Sequence, residues 1–374
     1  MNKKRLIFVL SILVILSMLA ACAPQATPTT ASAGTPVPVE PATKEPTQIE
    51  VSPTEAPTKE PAKTITVAVV AGGEVGDMGF IDSANEGLKR MESELGLKTI
   101  MIQTRNDTTV YLDDLISAAE QADLIFVIPG YFFDEQLKQV VPEFADKTFV
   151  YVDGGSSIEG MSSVVFLQNE GAFLAGALAA LMTTHTDDLA NLDAAKYIGF
   201  MGGADMPVIH DYQVGFNQGA SYAVEDIEVL NQYAGTHFDP AKGKETALAM
   251  FGAGVDIIFQ AAGPTGLGVF EAAKDAQRYV IGVDSNQKSL APDYVLASMR
   301  KNVGDSIFQF TQSFLAREIK ADEVYTYGLA KNGVGIDYGG MDPDLVTQDV
   351  KDKIEEYKQM IIKGEIVVEQ YTGE

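Results

Sequence analysis

The sequence predicts an α/β protein built as two doubly wound parallel-sheet lobes. Three observations carry this expectation. From Thr64 onward, short continuous apolar runs alternate with longer stretches of helical character. The alternation breaks off and starts afresh near Tyr197. The runs end in Gly-Gly, Pro-Gly or Asp, residues suited to the turn by which a strand feeds a helix. An apolar run without polar alternation marks a strand covered on both faces, as in helix-flanked parallel sheets.

Ile65 to Ala71 (ITVAVVA) is the first such strand; it ends in Gly72-Gly73, and a helix from Ser83 to Leu95 follows. Thr99 to Gln103 reads as the next strand and Tyr111 to Gln121 as its helix. Leu124 to Ile128 runs into Pro129-Gly130 ahead of a helix from Phe133 to Phe144, and Thr148 to Val152 is closed by Asp153-Gly154-Gly155. The second set begins with Tyr197 to Met201, ending in Gly202-Gly203, and a helix from His210 to Val224. Strands follow at Val229 to Tyr233, Asp256 to Ala261 and Tyr279 to Val283, separated by helices around Thr246 to Phe251 and Gly266 to Lys274. Such sheets bind ligands beyond the carboxyl ends of their strands. Here those ends carry Gly72-Gly73, Pro129-Gly130, Asp153, Gly202-Gly203, Gly263 and Asp284.

The amino terminus has a different character. Lys3, Lys4 and Arg5 precede an apolar stretch from Leu6 to Leu19, 14 residues long. A spanning helix needs about 20, so the segment fits a secretory signal peptide. Leu19-Ala20-Ala21-Cys22 resembles the bacterial lipobox, which implies cleavage after residue 21 and acylation of Cys22. A chance cysteine behind an ordinary signal, or a buried thiol, is the plainer alternative. Cys22 is the only cysteine, so no internal disulfide can form in an oxidising compartment. From Ala23 to Lys63 lie nine of the 16 prolines, with Thr-Lys-Glu-Pro at Thr43 and again at Thr58. So few apolar side chains cannot offset the entropy of ordering, and a semi-extended stalk is expected. The expected location is therefore the extracytoplasmic face of the cell membrane, through a lipid anchor.

The remaining body is long enough for two lobes. Its best later apolar run, Ala172 to Met182, is short and reads as a buried helix. The formal charge of −25, from 52 acidic and 27 basic residues, argues against nucleic acid and against a highly phosphorylated ligand. His185, His210 and His237 are scattered without metal-ligand spacing, and each reads as a surface or hydrogen-bonded structural residue. Neither a metal nor a cofactor is expected. No Gly-x-Ser-x-Gly elbow, Walker loop, His-Glu-x-x-His or Cys-x-x-Cys stands in the chain, so no catalytic constellation is expected either.

A series of motifs runs along the chain in order. Gly76-Asp77-Met78-Gly79-Phe80-Ile81 and Ser83-Ala84-Asn85-Glu86-Gly87-Leu88 come first. Asn169-Glu170-Gly171-Ala172-Phe173-Leu174-Ala175-Gly176 follows, then Ile198 to Gly203, Met206-Pro207 and Val214-Gly215-Phe216 with Gly219. Ile257-Ile258-Phe259 with Gly263, Gly266 and Gly268, then Ile281 to Gln287 and Ser298-Met299-Arg300-Lys301, complete the series. From about Thr64 to Gln370 the chain resembles the basic membrane protein family of solute-binding lipoproteins, related to purine-nucleoside receptors.

The resemblance implies the periplasmic-binding-protein type I fold and service to an ATP-binding-cassette importer. It implies one lobe of 64–168 plus about 300–325 and another of 169–299 plus about 326–374, joined by a multi-strand hinge. The expected partners are a small-molecule ligand, a nucleoside and more narrowly a purine nucleoside, and the importer's permease. Ile81 stands where the family has asparagine and Asn85 where it has tryptophan; the first change removes a hydrogen-bond partner if that asparagine faces the ligand.

A nucleoside needs flat apolar walls for its base and polar partners for its edges. Phe80 and Tyr212 are candidates to sandwich the base, with core packing as the plainer role, and Tyr131 is a third aromatic near a strand end. Asp284 is the candidate for the ribose diol, since a carboxylate accepts two bonds from adjacent hydroxyls; the alternative is a helix cap. Asp153, placed equivalently in the first lobe, is a candidate acceptor for a base nitrogen proton. Asp77 is another, although Asp before a helix start is often an N-cap. Lys301 is a candidate donor to ribose or a balance for the carboxylates, and Gly263 permits close backbone approach. A sugar or other small signal molecule is the alternative ligand. Clustered carboxylates also fit a nucleoside or glycoside hydrolase, a remoter alternative.

Overall fold

The computed structural model describes residues 64–192 and 195–373. Cys22, the signal segment and the stalk lie outside the described residues. In chain order, β1 (Thr66–Ala71), α1 (Phe80–Leu95), β2 (Lys98–Gln103), α2 (Tyr111–Gln121), β3 (Leu124–Ile128), α3 (Asp134–Glu143), β4 (Thr148–Val152) and β5 (Ser162–Phe166) form the first half. Then come α4 (Gln168–Thr183), β6 (Tyr197–Gly202), α5 (Pro207–Ala223), β7 (Glu228–Tyr233), α6 (Pro240–Gly252), β8 (Ile257–Ala261), α7 (Leu267–Ala276), β9 (Tyr279–Asp284) and β10 (Val295–Lys301). The chain closes with α8 (Val303–Leu315), β11 (Val324–Tyr327), β12 (Val334–Asp337) and α9 (Gln348–Ile362).

Two sheets of six strands result, ordered β11-β5-β4-β3-β1-β2 and β12-β10-β9-β8-β6-β7. Pairing is parallel throughout the first. In the second only the β10–β12 edge is antiparallel. The expected doubly wound α/β architecture is therefore present. The central strands β1, β3, β8 and β9 are buried almost end to end, which explains their unbroken apolar runs. The chain passes from one sheet's side to the other three times, at Phe166–Gln168, Lys301–Val303 and Tyr327–Val334.

Helix α4 is the buried helix that Ala172 to Met182 predicts, and among the described residues no helix is long and apolar enough to cross a membrane. It lies against α5 at backbone distance. A Cβ on Gly219 would stand 1.9 Å from the Phe173 carbonyl oxygen, and one on Gly176 would stand 2.0 Å from that of Phe216. These glycines set the approach of the two helices.

Several helices begin earlier than their apolar periodicity suggests, each for a local reason. Helix α6 starts at Pro240 rather than near Thr246, because Asp239 accepts the Lys242 amide and proline fits the first helical position. Pro207 opens α5 in the same way, three residues ahead of His210. Helix α1 begins at Phe80 because Asp77 receives the amides of Gly79, Ile81 and Asp82.

Candidate functional site

The carboxyl ends of both sheets meet around one cavity of about 370 Å³. Asp77, Phe80, Tyr131, Asp153, Tyr212, Gly263, Asp284 and Lys301, the eight residues singled out from the sequence, all line it. Six of them end a strand or stand in the loop after one, while Phe80 and Tyr212 stand in the first turns of α1 and α5, the helices that follow β1 and β6. Asp153 stands just beyond β4, and Asp284 ends β9, the fourth strand of its set. Both have left-handed backbones, with φ of 73° and 65°, a region that Asp tolerates better than most residues and that turns the chain sharply at the sheet edge.

At the end of the cavity near the three crossings, the charges are concentrated. Lys301 and Asp153 form an ion pair, their side chains 2% and 7% exposed. The ammonium also lies 5.1 to 5.4 Å from the rings of Phe80, Phe166 and Tyr212, a cation–π enclosure. Asp284 is buried beside them. Burial raises its pKa to about 7; Lys301 opposes this, Asp77 and Asp153 add to it, and the nearby Tyr212 hydroxyl lowers it. Burial likewise holds the phenols of Tyr131 and Tyr212 well above their usual range. The two tyrosines therefore act as hydrogen-bonding groups in their neutral form.

Asp77 lines the cavity but turns both carboxylate oxygens to the start of α1, and burial raises its pKa despite those amides. It serves as the cap of that helix. Gly263 adopts φ of 54°, which exposes its backbone to the cavity without a side chain.

The loops of the two halves also grip each other. Ser285 Oγ donates to the Gly79 carbonyl at 2.9 Å, and Gln287 Nε2 to the Met78 carbonyl at 3.0 Å. The Phe132 and Phe238 rings face one another at 6.3 Å across the opposite end.

Among the lining residues that the sequence did not mark as ligand candidates are Asn106, Phe132, His237 and Phe238. His185 and His210 have the expected polar partners, Asp188 for the first, Asp205 and Tyr233 for the second. His237 departs from the expectation of a surface or hydrogen-bonded structural residue. Its ring lines the cavity with no side-chain hydrogen bond among the described residues. Gly203 makes room for it: a Cβ there would lie 2.4 Å from the imidazole. Ile81, the departure noted in the first motif, also faces the cavity.

Comparison with known proteins gives a consistent relationship. The pattern of a family described as ABC transporter substrate-binding protein PnrA-like matches residues 64–372. A curated relative, Basic membrane protein A of Borreliella afzelii, is 30% identical over 309 residues, covering 81% of this chain and 90% of its own. A second, the ABC transporter nucleoside-binding protein BmpA of Lactococcus lactis, is 33% identical over 315 residues, covering 79% and 86%. Among solved structures, a solute-binding protein of an ABC transporter system from Aeropyrum pernix superposes with a TM-score of 0.71 at 25% identity, covering 82% of this chain and 94% of that one.

Proposed function

We propose, because this chain belongs to the PnrA-like family of ABC transporter substrate-binding proteins, that the solute it carries to its importer is a nucleoside, and a purine nucleoside in particular. The observation that carries this reading is the charged end of the cavity, where a buried carboxyl, a lysine and aromatic rings stand together. The Asp284 carboxylate is suited to accept both hydroxyls of a ribose diol. Lys301, already paired with Asp153, is placed to donate to a ribose oxygen. Phe80 and Tyr212 supply flat walls for a base, each stacked face contributing about 1–3 kcal/mol. Asp153 is taken up by Lys301, so the base edge falls to other groups. Among the described lining residues Lys301 is the only lysine or arginine, against Glu74, Asp77, Asp153 and Asp284. That balance favours an uncharged nucleoside over a nucleotide. The name of the Lactococcus relative points the same way.

Acylated Cys22 and the proline-rich segment after it would hold the carrier at the extracytoplasmic membrane face, within reach of its permease. Thermal-shift measurement of the full chain in detergent against nucleosides, free bases and sugars tests the ligand. A rise in melting temperature with adenosine, inosine or guanosine is expected. A response to sugars with none to any nucleoside overturns the proposal.

A further inference from the structure

The nucleoside reading accounts for one end of the cavity and leaves the other unexplained. Strands β2 and β7 are the outer strands of the two sheets, farthest from the crossings. Asn106 follows β2 and His237 follows β7, so the two halves each deliver one polar side chain to the same remote end. Of the charged side chains lining the cavity, Asp284 is assigned to the ribose and the others have protein partners: Asp77 caps α1, Asp153 pairs with Lys301, and Glu74 meets Arg105 at 3.4 Å. Asn106 and His237 have none: Asn106 Oδ1 is buried without a hydrogen-bond partner, and no side-chain bond forms at the imidazole.

A buried amide left unpaired is costly, and a native structure retains one where something else completes it. Both residues are also held in place. The Asn106 backbone N–H donates to the Gly72 carbonyl at 2.7 Å at a residue with φ of 59°, and the His237 carbonyl accepts from the Thr265 backbone N–H at 3.0 Å. Burial lowers the pKa of His237, so the ring stays neutral and keeps one donor and one acceptor. An asparagine amide likewise presents a donor beside an acceptor. That pattern complements the amino group and ring nitrogen on the edge of adenine.

Resting on the nucleoside reading, we propose that Asn106 and His237 are the base-reading pair: they engage the polar edge of a purine whose sugar lies at Asp284, and they set the preference for a 6-aminopurine nucleoside. Phe132 and Phe238, 6.3 Å apart, flank this end with apolar rings.

The test is calorimetric titration of the full chain and its variants with adenosine and with purine riboside, which lacks the 6-amino group. The unaltered chain should bind adenosine about tenfold more tightly, the worth of one well-formed bond. In Asn106→Ala that advantage should vanish. Asn106→Asp, with two acceptors and no donor, should turn the preference toward guanosine, which offers two adjacent N–H donors. His237→Phe keeps a ring wall and should still lose several-fold for adenosine. Melting curves without ligand confirm that each variant is folded. An Asn106→Ala protein that keeps the adenosine advantage overturns the assignment of Asn106, and unchanged adenosine affinity in His237→Phe overturns that of His237. If the unaltered chain binds no nucleoside, the proposed function fails first; if it binds adenosine and the variants behave like it, only the base-reading pair falls.

Discussion

Asp284→Asn should stabilise the ligand-free protein at high pH while abolishing binding. In the folded chain burial raises the Asp284 carboxyl from its ordinary 3.8 to about 7. Between those values the folded state holds a proton that the unfolded chain has released, so stability falls as pH rises. The gap is about three pH units, and at 1.36 kcal/mol per unit the loss is complete above pH 7 at about 4 kcal/mol. This is an upper value, reduced by the fraction of time the cleft stands open to water. Asparagine keeps the volume and cannot ionise. Urea denaturation of both proteins should therefore give similar stabilities near pH 4 and a widening advantage for the variant toward pH 8. Parallel curves, or a less stable variant at pH 8, would refute the reasoning. A carboxylate kept at a cost to stability is expected where a ligand needs it.

Three further outcomes follow from the packing. Lys301→Met strands the buried Asp153 carboxylate and should cost about 3–5 kcal/mol in urea denaturation, most of it recovered in the Asp153→Asn/Lys301→Met double variant; equal losses in both would contradict a paired charge. Phe80→Ala should leave the fold intact and weaken nucleoside binding by about 1–3 kcal/mol in calorimetry; an unaltered affinity would return Phe80 to a packing role. Gly219→Val places a side chain where the Phe173 carbonyl oxygen stands 1.9 Å from the Cβ position, and should cost more than about 3 kcal/mol in thermal or urea unfolding. A variant as stable as the parent would mean that α4 and α5 tolerate separation.

The legible parts of this chain were those where one physical demand acts on many consecutive residues. Buried parallel strands must be apolar on both faces, and β1, β3, β4, β6, β8 and β9 stand out for that reason. The edge strands β11 and β12 are four residues each and mostly half-buried, so neither leaves a run to read. Strand β5, Ser162–Phe166, opens with two serines that masked it. The site was visible for a related reason. Asp153 and Asp284 interrupt apolar runs with a charge, at a position where the fold class places ligands. Asn106 and His237 follow the half-buried edge strands β2 and β7, within loops where polar residues are ordinary. Only the strand order, which no local pattern encodes, brings them to one cavity. The Asp239-Pro240 signal after His237 was in the sequence and marks the start of α6, which fixes the loop that carries the histidine.

Calorimetric titration of the full chain with adenosine, set beside ribose and Asp284→Asn, decides whether Asp284 holds a nucleoside. Saturable binding of one adenosine per chain is expected, with no heat from ribose alone and no binding to Asp284→Asn despite an intact fold. Binding of adenosine undiminished in Asp284→Asn, or of sugars in preference to any nucleoside, would contradict it.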